Sequence, residues 1–252
     1  MQKKSGLITR QLSLLILLLI NAAAFAQKPT YLIVHGAWGG GWAFKQVDAL
    51  LTAQGSEVYR PSLTGQGERA HLSSADINLN THIQDVVNVI LYENLQDIIL
   101  VGHSYGGMVI TGVADSIPDR IRKLVYLDAF VPNDGESLVT SKGNDNSGPE
   151  RNAKNGMVVP TWVKEDQQPP KDVPQSLKTF TQPVSRKNPK ALKLPATYIL
   201  TVDKGAKAEN DTFFMFAQRA QLRGWKTVTL IADHNPHWSN VNELVKLLGD
   251  EK

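Results

Sequence analysis

The chain has 252 residues, 42% of them hydrophobic and 20% charged, a globular balance that excludes wholesale disorder. It contains no cysteine, which excludes disulfides, thiolate nucleophiles, iron–sulfur clusters and thiolate-ligated zinc. The net charge of +3 resides in residues 1–26, which hold Lys3, Lys4 and Arg10 and no acid; the rest carries 24 basic and 24 acidic residues, so no basic surplus points to nucleic acid.

Residues 1–10 are polar and basic, and Leu12 to Ile20 is aliphatic apart from Ser13. Ala24-Phe25-Ala26 then has the small-x-small form that signal peptidase accepts. The apolar stretch from Leu12 to Ala26 is short against the roughly 20 residues of a membrane span. Residues 1–26 therefore read as a signal peptide cut after Ala26. The mature chain, 27–252, is expected in a periplasm or the medium, meeting a membrane only during export.

Beyond the leader, short apolar runs alternate with longer amphipathic stretches. Thr30 to His35 reads as a strand, Trp42 to Gln54 as a helix closed by Gly55, and Ser56 to Arg60 as a strand stopped by Pro61. Asn80 to Asn94 places Ile83, Val86, Val87, Ile90 and Leu91 at helical spacing. Asp97 to Val101 is a strand, Tyr105 to Asp115 a helix and Lys123 to Leu127 a strand. The pattern resumes with strand Thr197–Val202, helix Asp211–Leu222, strand Thr227–Ile231 and helix Val241–Leu248. Continuous apolar strands alternating with helices imply a six-stranded, mostly parallel sheet with helices on both faces, an α/β fold. Residues 130–195 break the rhythm and hold nine of the thirteen prolines. A structureless loop that long is unusual, so this segment is expected to be a small cap inserted over the carboxyl ends of the strands.

Gly102-His-Ser-Tyr-Gly106 fits G-x-S-x-G between a strand and a helix, the context in which a sharp turn lifts a serine hydroxyl above a sheet. Ser104 is thus the candidate nucleophile. A serine hydroxyl needs a base, and in this arrangement the chain order is serine, acid, histidine. His234 and His237 follow the last strand. His234, in the short loop after it, is preferred, and His237 reads as a surface or helix-start residue. His82 and His103 read as structural. The acid falls on Asp203, at the end of Thr197–Val202, with Asp128, at the end of Lys123–Leu127, as its rival. The oxyanion of an acyl transfer needs two backbone donors. Tyr105, after the nucleophile, and Ala37, in the glycine-rich loop after the first strand, are the candidates. Trp38, Phe130 and Trp162 are candidate pocket walls. No cofactor or metal is required by this chemistry. The expected partner is a small-molecule ester, and the oligomeric state is open.

Val34-His-Gly-Ala-Trp38, Pro61 to Leu72, Val101 to Met108, Thr201 to Gly205 and Ala232-Asp-His234 together resemble the α/β-hydrolase superfamily. Within it, the chain is similar to the small serine esterase group that includes plant salicylate-binding methyl esterases and hydroxynitrile lyases. The resemblance implies an α/β-hydrolase fold and a serine hydrolase working through an acyl-enzyme, which the leader read above would make an exported one. It places nucleophile, acid and base on Ser104, Asp203 and His234, and the oxyanion amides on Ala37 and Tyr105. The lyases carry a threonine at Gly36 and a lysine at Asn235, so the resemblance favours ester cleavage. Carbon–carbon lyase chemistry and a non-catalytic ligand-binding role are the alternatives.

Overall fold

A computed structural model describes residues 28–143 and 148–251; the expected signal peptide lies outside them. In chain order the elements are β1 (Thr30–Val34), α1 (Lys45–Ala53), β2 (Glu57–Tyr59), α2 (Leu79–Tyr92), β3 (Ile98–His103), α3 (Gly106–Ser116) and β4 (Ile121–Leu127). An insertion comes next, with α4 (Leu138–Ser141), β5 (Ala153–Lys154), β6 (Met157–Val158), β7 (Gln175–Ser176) and α5 (Lys178–Thr181). The chain closes with β8 (Ala196–Val202), α6 (Phe214–Leu222), β9 (Lys226–Ile231), α7 (Pro236–Ser239) and α8 (Val241–Gly249).

The main sheet has the order β2-β1-β3-β4-β8-β9, and every pairing in it is parallel. This is the six-stranded α/β architecture the sequence implies. Its residues sort by parity, as a period of two requires. Leu32, Val34, Leu100, Tyr126 and Leu200 join one core with residues of α2, α3 and α6. Tyr31, Ile33, Ile99, Val101 and Ile199 join the other with α1 and α8. Both faces are covered, which is why the strands read as unbroken apolar runs.

The chain runs from β1 outward to β2 in one direction and then to β3 on the other side of β1. Such a reversal opens a crevice at the carboxyl ends of the two central strands, where open α/β sheets bind ligands. The turns after β1 and β3 meet there. The insertion between β4 and β8 contributes a second, antiparallel sheet of β5, β6 and β7, so the proline-rich stretch is not structureless. Among the described residues no helix is long and apolar enough to cross a membrane.

Candidate active site

β3 ends in the tight turn that the G-x-S-x-G spacing predicts. Ser104 sits in the left-handed region at φ 52°, a strained conformation for a non-glycine residue. Its backbone is pinned: Ser104 N–H donates to Leu127 O at 3.2 Å, and Ser104 O accepts from Phe130 N at 3.1 Å and Gly107 N at 3.1 Å. Gly106 permits the turn to press against β1, for a Cβ there would lie 2.6 Å from Val34 O.

His234 lies in the loop after β9. Its Nδ1–H donates to Asp128 Oδ2 at 2.6 Å, and its Nε2 is 3.0 Å from Ser104 Oγ, placed to accept the hydroxyl proton. The ring stacks on Phe213, 4.7 Å between centroids and 13° between planes. His103 Nε2–H donates to the His234 carbonyl at 2.8 Å, tying the loop to the turn. The carboxylate of Asp233 faces away, accepting from Asn235 N and Ser239 Oγ, each at 2.8 Å.

The acid expected at Asp203 is corrected by this geometry. Nδ1 of His234 is occupied by Asp128, the rival. Asp128 is 1% exposed, and its second oxygen accepts from Thr201 N at 3.0 Å. Asp203 faces solvent at the start of a turn in which its carbonyl accepts from Ala206 N at 2.9 Å. The physical reason is that β8 delivers the chain straight into an exposed polar turn, whereas β4 bends at Asp128, φ 42°, into the apolar Ala129-Phe130-Val131. A carboxylate buried in such a run must find a donor. That apolar flank is the signal in the sequence. A second correction concerns His237. It does begin a helix, but it is 2% exposed, stacks on Phe44 at 4.3 Å, and burial pushes its pKa down to about 3.

His82 and His103 are structural as expected. His82 Nε2–H donates to Thr64 O at 3.0 Å, which leaves Nδ1 to accept the Tyr105 hydroxyl at 2.9 Å. Burial depresses the His82 pKa to about 4 and holds His103 well below the ordinary histidine value. His35, which carried no expectation, lies under the β1 loop. Its Nε2 accepts from Leu63 N at 3.1 Å and its Nδ1–H donates to Gly36 O at 2.7 Å, with burial lowering its pKa to about 4.

Ser104 and His234 stand between two cavities that share Ala37, Trp38 and Trp162. One, of about 320 Å³, is lined by Tyr105, Phe130, Leu138, Val158, Phe180 and Phe213. The other, of about 510 Å³, is lined by Trp42, His103, Asp172, Asn235 and Trp238. Trp38 and Trp162 meet edge-on at 5.1 Å between them. The three expected wall residues Trp38, Phe130 and Trp162 all line the smaller cavity, as do Ala37 and Tyr105 beside Ser104. Among the described residues, no group of three or more His, Asp or Glu side chains is arranged to hold a metal ion. A pinned hydroxyl in line with an imidazole and a buried carboxylate is an arrangement that can activate oxygen for attack on a carbonyl.

Comparison with known proteins agrees with the fold. A family model described as the alpha/beta hydrolase family matches residues 31–247. The carbendazim-hydrolyzing esterase of Nocardioides sp. (strain SG-4G) is 58% identical over 109 residues, 43% of this chain and 45% of that protein. Methylesterase 2 of Arabidopsis thaliana is 31% identical over 109 residues, 42% of this chain and 41% of its own length. The chain thus spans less than half the length of these curated relatives. Among solved structures, an extracellular alpha/beta-hydrolase from a Paenibacillus species superposes with a TM-score of 0.72 at 21% identity, covering 88% of this chain and 98% of that one.

Proposed function

The chain belongs to the alpha/beta hydrolase family, and from that premise we propose that it is a serine esterase cleaving small carboxylic esters with Ser104, His234 and Asp128. The observation that carries the reading is the relay of 3.0 Å from Ser104 Oγ to His234 Nε2 and 2.6 Å from His234 Nδ1 to Asp128. Relatives named as a carbendazim-hydrolyzing esterase and a methylesterase support it.

In this reaction His234 Nε2 takes the hydroxyl proton as Ser104 Oγ attacks the ester carbonyl. Asp128 fixes the Nδ1–H tautomer and balances the imidazolium that forms. The negative charge on the former carbonyl oxygen is met by the amides of Ala37 and Tyr105. Collapse of the tetrahedral adduct breaks the bond to the alkoxy oxygen, which takes the proton from His234 and leaves as alcohol. Water then attacks the acyl-enzyme, giving its proton to His234, and the carboxylic acid departs with Ser104 restored. The two cavities divide the substrate: the smaller, aromatic-walled one takes a flat apolar group, and the wider one takes the remainder of the ester. Insertion residues 130–195 serve as the cap over both.

The test is a fluorophosphonate probe on the purified protein, with mass spectrometry locating the adduct, and then a panel of aryl and alkyl esters. Labelling at Ser104 with alcohol and acid release is expected. Release of a carbonyl compound and cyanide from a cyanohydrin, with no ester turned over, would move the assignment to lyase chemistry. Saturable ligand binding without labelling would move it to a binding protein. Residues 1–26 are proposed as an export leader; the exported protein should begin at Gln27 on N-terminal sequencing, and retention of Met1 in an exported form would refute the cut.

A further inference from the structure

Trp38 occupies the left-handed region at φ 63°, a conformation that strains a bulky residue. The insertion holds it there at three points. Trp38 N–H donates to Gln175 Oε1 at 2.8 Å, its indole Nε1–H donates to Val158 O at 3.0 Å, and its carbonyl accepts from Val173 N at 2.9 Å. Val158 and Gln175 face each other across β6 and β7, so the small sheet grips both the main chain and the ring of one residue.

Gln175 is a surface-type residue that is 1% exposed, which demands that its amide be satisfied. Its Nε2–H donates to Thr179 Oγ1 at 2.8 Å, and that hydroxyl donates to Ser176 O at 2.7 Å. The amide orientation of Gln175 is thereby fixed, with its oxygen turned to Trp38.

The consequence falls on Ala37. Gly36 C=O and Ala37 N–H belong to one planar unit and point in opposite directions, so the His35 Nδ1–H bond to Gly36 O aims the Ala37 N–H from one side. Gln175 pins the next peptide plane from the other. The core of the fold and the insertion each hold one flank of the amide that the esterase reading assigns to the oxyanion.

We infer that Gln175 is a positioning residue for the oxyanion donor, so that the insertion sets transition-state stabilisation as well as enclosing substrate. The inference rests on the esterase reading above. Losing one such donor outright costs about 100- to 1,000-fold in turnover; a misaimed donor should cost less. Gln175→Met keeps the volume and removes both hydrogen bonds. It is expected to lower kcat on a p-nitrophenyl ester by about 10- to 100-fold with KM within about threefold. Affinity for an alkylboronic acid, which forms a tetrahedral adduct on Ser104, should fall in step with kcat. Affinity for the carboxylic acid product should not. Thr179→Val, near-isosteric, leaves Gln175 in place but frees its amide to turn, and should give a smaller loss of the same pattern; it serves if Gln175→Met does not fold. A kcat within twofold of wild type in both variants overturns the inference, as does product affinity falling in parallel with boronate affinity. Failure of the wild type itself to label at Ser104 or to turn over any ester sinks the esterase reading and takes this inference with it.

Discussion

β4 and β8 are neighbours in the sheet, both are buried through their last residues, and each hands the chain to an aspartate, Asp128 after Leu127 and Asp203 after Val202. Asp128 is met by Ala129, Phe130 and Val131, all buried. Asp203 is met by Lys204, Gly205, Ala206 and Lys207, all exposed. The first carboxylate is enclosed and must be paired, and its partners are an imidazole and a backbone amide. The second is solvated and needs none. The residues just past a strand, more than the strand itself, decide whether an acid at its end can orient a base.

The comparison is sharpened first by a floor. Ser104→Ala removes the proposed nucleophile and is expected to lower kcat by about 10⁴- to 10⁶-fold, measured as steady-state ester turnover. Asp128→Asn comes next. The amide presents a donor or a weaker acceptor to His234 Nδ1 and favours the wrong tautomer, so kcat should fall by about 10³- to 10⁴-fold with KM little changed. Wild-type turnover in Asp128→Asn would break the comparison at its centre.

The two ends of the sheet differ in how they respond to acid. The carboxyl end of the sheet is packed with the buried histidines His35, His82, His103 and His237, whose pKa values burial holds low, at about 4 for His35 and His82 and about 3 for His237. The unfolded chain takes up these protons near pH 6.5, and the folded chain does so only below its depressed values. Stability is therefore complete above pH 6.5 and declines as pH falls from there toward about 4. Each histidine adds a slope of about 1.4 kcal/mol per pH unit within its window. Thermal melts between pH 7.5 and 4 should show this, and His82→Gln should flatten it; a Tm constant across that range would refute the burial argument. At the opposite end of the strands Glu251 acts at lower pH. Burial raises its pKa, but hydrogen bonds from Lys123, Lys226 and Thr197 outweigh that and leave the carboxyl below its ordinary value. Its contribution is present above the unfolded value of 4.5 and is lost as pH falls further.

These contrasts mark what a one-dimensional reading can reach. Strand positions, the Ser104 turn and the His234 loop are legible because each is local: an apolar run, a glycine-flanked serine, a histidine just past the last strand. Position misplaces the acid: two strands end alike, strand-end placement favours Asp203 over Asp128, and the family resemblance reinforces that choice. The apolar run after Asp128 carries the answer as a burial argument. Of the two readings of His237, helix start holds and surface fails, because Phe44, which covers it, lies 193 residues earlier. The grip of Gln175 on Trp38 spans 137 residues and lies in a segment whose prolines obscure its short strands. No local pattern encodes such a pairing.

The smallest expected effect is the one that tests the contrast from its other side. Asp203→Asn removes a charge from an exposed turn and leaves intact the carbonyl of residue 203, which accepts from Ala206 N. Surface changes of this kind usually stay within about 0.5 kcal/mol of wild-type stability, and turnover should remain within about twofold. Were Asp203→Asn to lose activity as Asp128→Asn is expected to, the β8 end would have to supply the acid during turnover. That would require the solvated loop to fold inward and displace a carboxylate already hydrogen-bonded to both His234 and Thr201. Moving Asp128 aside would leave the Thr201 amide without its acceptor and a buried charge without its imidazole, which costs several kcal/mol, whereas an exposed aspartate gains little from a surface-type pair. The energetic asymmetry favours the β4 carboxylate throughout the cycle, and equal kcat in Asp203→Asn and wild type is the measurement that checks it.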